Sequence, residues 1–479
     1  MTVPETAAAP SLASSSRAAV LTVAGVFFLL LLDSSILNTS LPQVAHSMGV
    51  QPLALSPTIT AYLLASVVAM PLSGWVSGKF GARRVYLCAI ALFMLASAAC
   101  GASGSLWQLI AARVVQGAAG GLMFTVGRTL ALRDAPKSEL LSITSLLVWP
   151  ALLAPVLGPP LGGLITTYVS WRWNFLLNVP LGFVALALIA RHVPPDGMVQ
   201  RLPMDWPGAF LTATGLALLF GGLEMTVLAA SELRRWPAAA GLVAMGGVLL
   251  ALAFRHLKRA EHPVISLEPL RAKTFRLATA SAGTYSAACV HATPYLLPLG
   301  LQLGFGLSAA AAGAMMLPYF LGNVAMKSVS SPILRRFGFR QVLLIDGVIA
   351  MGLVGALGLL TPQTPFAVTV MVLVVAGASR SMLFTAINTM AFVDVSNAER
   401  PHAATLTSIS QLLGQTLGIT FSALLLAGAQ LTHAGASLGA ADFRIAFTGI
   451  CILGLLSLLP FVTLSSQAGH EVIGQRPGS

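Results

Sequence analysis

The stretch LLLLDSSILNTSLPQVAHSMG, Leu29 to Gly49, opens as hydrocarbon and then sets a carboxylate, Asp33, inside the apolar run. The run begins near Ala18 and continues towards Leu41, long enough to cross a bilayer core as a helix. It is longer than the apolar core of a cleaved signal peptide, so a retained first span is expected. Counted from Ala18, Asp33 lies about 15 residues in, roughly 22 Å along a helix and past the midplane. An ionised carboxylate facing lipid there costs on the order of 3 kcal/mol. The cost falls if the group faces a watery cavity, meets a cation or takes a proton.

The pattern around this stretch repeats along the chain. Of 479 residues, 56% are hydrophobic and 9% charged, with mean hydropathy +0.84. A soluble chain carries nearer a quarter charged residues. Apolar runs fall near 18–41, 57–77, 85–103, 106–128, 140–168, 173–190, 207–229, 236–254, 275–300, 308–330, 341–361, 365–389, 402–429 and 443–464. The expected fold is an all-α polytopic membrane protein of fourteen transmembrane helices. The short alternating segments of a β-barrel are absent. The four cysteines are scattered in apolar runs with no CxxC pair, and no metal site is implied.

With fourteen spans both termini face one side, and basic residues choose it. Twenty of the 27 Lys and Arg fall in the tails and loops assigned to the cytoplasm, four fall in the opposite loops, and Arg113, Lys327 and Arg380 lie within or at the edge of spans. The net charge of +12 is therefore membrane anchoring, and no nucleic-acid partner is expected. GKFGARRV (Gly78–Val85) and RRFGFRQV (Arg335–Val342) each join a second span to a third, with Gly81 and Gly338 257 residues apart. A six-span unit thus occurs twice. The expected division is 1–200, a pair of inserted helices with linkers over 201–273, and 274–479. Duplicated bundles around a midplane cavity are the architecture of secondary transporters.

Several motifs carry a resemblance. LDSSILNTSLP (Leu32–Pro42), LIAARVVQGAAGG (Leu109–Gly121), GPPLGG (Gly158–Gly163) and WRWNFLLNVPLG (Trp171–Gly182) resemble the major facilitator superfamily, in particular its 14-helix drug:proton antiporter branch of EmrB/QacA type. MKSVSSPILRRFGFR and SRSMLFTAINTM are similar to the MdtD/HsrA-like subgroup. The resemblance covers essentially the whole chain. It implies proton-coupled export of small, drug-like or amphipathic molecules by alternating access. The gradient supplies the energy, with no cofactor. The expected setting is the lipid bilayer of a bacterial inner membrane, both termini cytoplasmic, the protein a monomer, its partners protons and a small-molecule substrate.

The motifs, the internal repeat and the intramembrane polar residues together assign roles. Asp33 and Arg113 are the expected proton-coupling pair, with Gln116 on the same helical face as Arg113. The alternatives are an Asp fixed in helix packing and an Arg snorkelling to an interface. Asn38, Gln116, His291, Tyr295, Gln302, Arg380 and Asn388 are expected to line the substrate cavity; His291 is equally readable as a packing histidine. Gly158, Pro159, Gly162 and Gly163 form the antiporter motif, sealing the halves or only kinking a helix. The loop motif after the second span reads GWVSGKFGARR, with Gly74, Lys79, Gly81, Arg83 and Arg84 in gating positions. Its usual aspartate, part of a charge lock between halves, is replaced by Gly78; Asp134 and Glu139 are possible substitutes. Lys327 and Asp346 are placed to pair, and Glu224 reads as a snorkelling residue near an interface.

Rival classes make different demands on the sequence. An exporter of a specific metabolite or organic-acid or metal chelate is the alternative, favoured if Arg113 and Arg380 both face the cavity. A membrane enzyme should show HExxH or clustered His and Asp, and the eight histidines are scattered. GWVSGK is one residue short of a P-loop and lacks its Ser/Thr. A non-transporting sensor should lack an intramembrane titratable site.

Overall fold

The computed structural model describes residues 14–133, 140–196, 203–228, 236–396, 399–431, 438–465 and 469. Among these residues the regular structure is all helical. The helices are α1 (Ser14–Ile36), α2 (Leu41–Met48), α3 (Ser56–Phe80), α4 (Ala82–Ala102), α5 (Leu106–Arg133), α6 (Leu140–Tyr168), α7 (Trp173–Leu176) and α8 (Asn178–His192). After them come α9 (Trp206–Leu228), α10 (Trp236–Leu257), α11 (Lys273–Thr279), α12 (Ala282–Leu299), α13 (Ala309–Leu357), α14 (Phe366–Met390), α15 (Arg400–Leu431) and α16 (Ala440–Ser457). Among the described residues, eleven helical stretches are long and apolar enough to cross a bilayer. The protein is therefore a multi-pass membrane protein.

The helix ends follow local chemistry. α1 stops at Ile36, passes through a 3-10 turn at Leu37–Thr39, and α2 restarts with Pro42 in its first turn, where a missing N–H costs nothing. The expected ninth span, 275–300, is not one helix. It breaks at Ala280–Ser281 and then loosens into a π turn at Gly300–Gly304, just past Pro294 and Pro298. Each proline removes a backbone donor and so frees a carbonyl one turn earlier. α13 is continuous by hydrogen bonding, yet Gly338 at φ 75° divides it into two helices.

The duplication read from the loops extends to the packing. Gly81 and Gly338 both hold positive φ, 90° and 75°, where an L side chain is strained. A Cβ on Gly117 would meet the carbonyl of Tyr62, and one on Gly377 the carbonyl of Tyr319. Tyr62 and Tyr319 are also 257 residues apart. In each repeat a glycine lets the fourth helix press on the second. Without a hydrophobic drive between helices in lipid, such close backbone approach supplies the association.

The two repeats meet through α6 on α13, α3 on α15, and Leu37–Thr39 on α12. The α9–α10 hairpin packs through α9 on both α3 and α15, one from each repeat. Asp205 fastens the base of this hairpin. It accepts from the Gly208 N–H at 2.9 Å, the Val264 N–H at 3.2 Å and lies 2.7 Å from His256 Nε2. Burial alone would raise its carboxyl, but those partners hold it below the usual range. Leu95, Trp107, Phe183, Phe210 and Phe366 stand exposed on the periphery, the surface a bilayer covers.

Candidate functional site

Asp33 and Arg113 are brought together. One Arg113 Nη1–H donates to Asp33 Oδ2 at 2.8 Å, and both side chains are 1% exposed. Gln116, one turn on from Arg113 as the spacing predicts, donates to Asp33 Oδ1 at 3.0 Å and accepts from Arg113 at 2.9 Å. Asn178 adds a third donor to the carboxylate at 2.6 Å. The remaining Arg113 N–H bonds include one to the Thr58 carbonyl at 3.2 Å, and its guanidinium lies 4.1 Å over the Tyr62 ring. Ser97 accepts from both Gln116 and Asn178. Three N–H donors converge on Asp33, and none of the three groups accepts there, so the carboxyl is ionised in this conformation.

Why the chain folds this way is legible in α5. Gly117 and Gly121 face the backbone of Tyr62 and Ser66, and Gly120 faces the Tyr62 ring, so α3 lies against α5 without intervening side chains. That contact slides the Tyr62 ring under the guanidinium. α8 then delivers Asn178, and α4 delivers Ser97.

A cavity of about 190 Å³ lies between the repeats. Leu30, Ser34, Tyr62 and Phe124 line it from one side, His291, Phe384, Gln411 and Gln415 from the other. Asp33 itself is not on that wall; of the three ways of relieving its charge, the structure shows the cation. Tyr62 touches both the cavity and Arg113, so the ion pair sits one aromatic layer behind it. A small recess of about 20 Å³, room for one water, holds His291, Arg380 and Asn388 together. Arg380 Nη2 is 3.4 Å from His291 Nδ1, and Gln411 donates to Asn388 Oδ1 at 2.5 Å.

The other expected cavity residues lie elsewhere. Gln302 donates to the Thr39 carbonyl at 2.9 Å and accepts from Gln43 at 2.9 Å, closing the end where α1 meets α12. Tyr295 is fully packed, with its hydroxyl unpartnered. Asn38 is half-buried with a buried, unpartnered Oδ1, and it lines none of the described cavities near Asp33. Gln116 belongs to the ion-pair cluster. Lys327 donates to Thr385 at 2.9 Å and Asp346 accepts from Ser379 at 2.7 Å, so these two do not pair. Glu224 does not snorkel: it is 6% exposed and bonded to Ser56 and Thr420.

The glycine motif is a contact between helices. Gly158 and Gly162 face Ser35 and Ile36 of the first span, while Gly163 faces the Ala309 carbonyl and Pro159 faces Gly313 across the repeats. The helix runs unbroken through Pro159 and Pro160.

At the opposite end, Asp196 occupies the place beside the loop motif. Its carboxylate accepts the Arg83 and Arg84 backbone N–H groups at the start of α4, at 2.9 and 3.3 Å, and lies 3.7 Å from Arg133. An anion at a helix N-terminus meets free N–H donors and the positive end of the helix dipole. Arg83 also donates to the Ala190 carbonyl at 2.5 Å. All these partners are in the first repeat, so Asp196 fastens one bundle and does not lock two. Asp134 and Glu139 fall outside the described residues. Lys79 packs over Trp75, and Gly74 faces open space.

Asn178, Ser97, Tyr62, Gln411 and Asp196 were not singled out from sequence. Asn174 and Asn178, four apart in an apolar run, are a signal by which the buried polar cluster could have been found.

The comparisons with known proteins agree with this fold. The model of the Major Facilitator Superfamily matches residues 23–419. MdtD of Escherichia coli O6:H1, named as a candidate multidrug resistance protein, is 33% identical over 455 residues, 94% of this chain and 95% of its own. MdtD of Salmonella typhimurium is 32% identical over 439 residues, covering 91% of this chain and 92% of its own. Among solved structures, a POT family transporter in complex with 5-aminolevulinic acid superposes with TM-score 0.68 at 14% identity, over 95% of this chain and 96% of its own. The xylose transporter XylE from E. coli, in a partially occluded inward-open conformation, gives 0.61 at 13%, over 94% and 98%. With helices, duplicated bundles, family match and relatives in agreement along nearly its whole length, this protein belongs to the major facilitator superfamily of transporters.

Proposed function

We propose that the protein is a proton-coupled exporter of small, drug-like or amphipathic molecules. It crosses a bacterial inner membrane fourteen times with both termini in the cytoplasm, and works as a monomer without a cofactor. The bundles are 1–200 and 274–479, with 201–273 inserted between them. The observation that carries the reading is the buried Asp33–Arg113 pair one ring behind a cavity between the bundles. A carboxylate that exchanges Arg113 for a proton as the bundles rock gives a site that couples proton movement to the cavity's contents. Tyr62 is the part that a cavity occupant touches and that Arg113 touches too.

The test is export of a compound panel from everted vesicles, with and without a pH gradient, comparing wild type with Asp33→Asn. Transport that collapses with the gradient and is lost in the variant supports the reading. Undiminished pH-driven export in Asp33→Asn refutes the coupling, and no export of any compound refutes the exporter.

A second reading, export of an anionic metabolite or chelate, asks for Arg113 and Arg380 both on the cavity; Arg113 lies behind Tyr62, and Arg380 lines the recess that shares His291 and Phe384 with the cavity. Among the described residues, Arg380 makes its hydrogen-bond contact with His291, and that contact is long at 3.4 Å. A guanidinium so placed attracts a carboxylate or phosphate group.

A further inference from the structure

We propose that Glu224 is a second proton-binding site, a carboxylic acid held neutral while the outer ends of α3 and α15 are together and ionised when they part. It deepens the transporter reading and rests on it for the place of this step in the cycle.

The argument is an accounting of protons. Ser56 Oγ lies 3.1 Å from the Leu53 carbonyl and 2.5 Å from Glu224 Oε2. A serine hydroxyl has one proton, and a carbonyl only accepts. If Ser56 donates to Leu53, the proton in the short contact must belong to Glu224. The carboxyl O–H then donates to Ser56 Oγ, at the length of a strong O–H···O bond. Both bonds are made only by the neutral acid. Thr420 Oγ1, 3.5 Å from Oε1, adds a weak donor. Asp33 is the opposite case, with two amide N–H donors and a guanidinium.

The surroundings agree. Ser56 is fully buried and Glu224 is 6% exposed. No ion pair involves Glu224 among the described residues. Thr60, one turn along α3, is a third hydroxyl beside the carboxyl, and Tyr295 of α12, whose hydroxyl is unpartnered among the described residues, is near enough to feel its charge. Tyr295 is the titratable group facing it. Pro52–Leu55, α3, α15 and the stretch of α10 around Ala239 and Val243 that faces Gly222 present no charged side chain to it among the described residues. A lone carboxylate here would carry the cost of an unpaired charge at membrane depth.

The position gives the acid its role. α9 carries Glu224, α3 belongs to the first bundle and α15 to the second, so one carboxyl bridges both bundles and the inserted hairpin. The proposed topology puts this end outside. Parting of α3 and α15 removes Ser56 and Thr420 and admits water, which favours the anion. A proton taken from the outer side favours reclosure, the return step of an antiporter loaded with protons. The hairpin α9–α10 thereby has a function: it presents the latch.

The test uses the full-length protein in lipid, without substrate. An infrared pH-difference spectrum should show a protonated-carboxyl C=O band that is lost in Glu224→Gln, shifts in Ser56→Ala and persists in Asp33→Asn. Hydrogen exchange of 52–63 and 416–424, corrected for intrinsic pH dependence, should rise about tenfold from about pH 6 to 8 in wild type and less than about twofold in Glu224→Gln. An unchanged band in Glu224→Gln, or an equal rise in exchange, overturns the proposal. Should Glu224→Gln fail to fold, an unshifted band in Ser56→Ala overturns it. Neither readout involves export, so failure of the vesicle assay leaves this result standing, and the reverse holds.

Discussion

Neutralising the two members of the central pair should have unequal consequences. Asp33→Asn leaves Arg113, 1% exposed, with the Thr58 carbonyl, Gln116 Oε1 and the Tyr62 face. A guanidinium does not give up its proton, so the buried charge stays uncompensated. Breaking a buried pair from one side costs about 3–5 kcal/mol. Arg113→Gln leaves Asp33 with its donors from Gln116 and Asn178, and a proton can discharge it. Its cost should therefore be the smaller of the two. The double variant leaves no lone charge, so the two costs should fail to add by at least about 2 kcal/mol. The assay is denaturant unfolding of the four proteins in one mixed micelle. Additive costs within about 0.5 kcal/mol would show that the pair is not one electrostatic unit.

Three further outcomes follow from other contacts. Gly163→Val sets a side chain against the Ala309 backbone, so the α6–α13 contact should open at a cost of about 1–3 kcal/mol, with helix content by circular dichroism unchanged and export reduced. Arg380→Gln should weaken binding of anionic compounds about tenfold or more in equilibrium titration, since a hydrogen bond to a charged group is worth about 1.5–3 kcal/mol, and leave cationic ones unaffected. Asp205 has a folded-state carboxyl below its unfolded value of 3.8, so its contribution is present above that pH and lost as the pH falls through the folded value. Asp205→Asn should be less stable than wild type by about 1–3 kcal/mol at neutral pH, and the gap should close below about pH 4 in thermal unfolding.

Much of the scaffold was written along the chain. Apolar runs of membrane length, basic residues gathered on alternate loops and two glycine-punctuated hinges 257 residues apart are one-dimensional signals, because lipid demands helices and water demands charge. Asp33 and Arg113 were each conspicuous as charges that lipid would not tolerate. Their meeting, and the ring of Tyr62 between them and the cavity, depended on three glycines of α5 letting α3 come close. The sequence misplaced Gln302 and Glu224 for one reason: hydropathy gives depth along a helix and says nothing of which neighbour its face meets. Only the packed helices decide that, and with it whether a carboxyl meets three N–H donors, as at Asp33, or hydroxyls alone, as at Glu224.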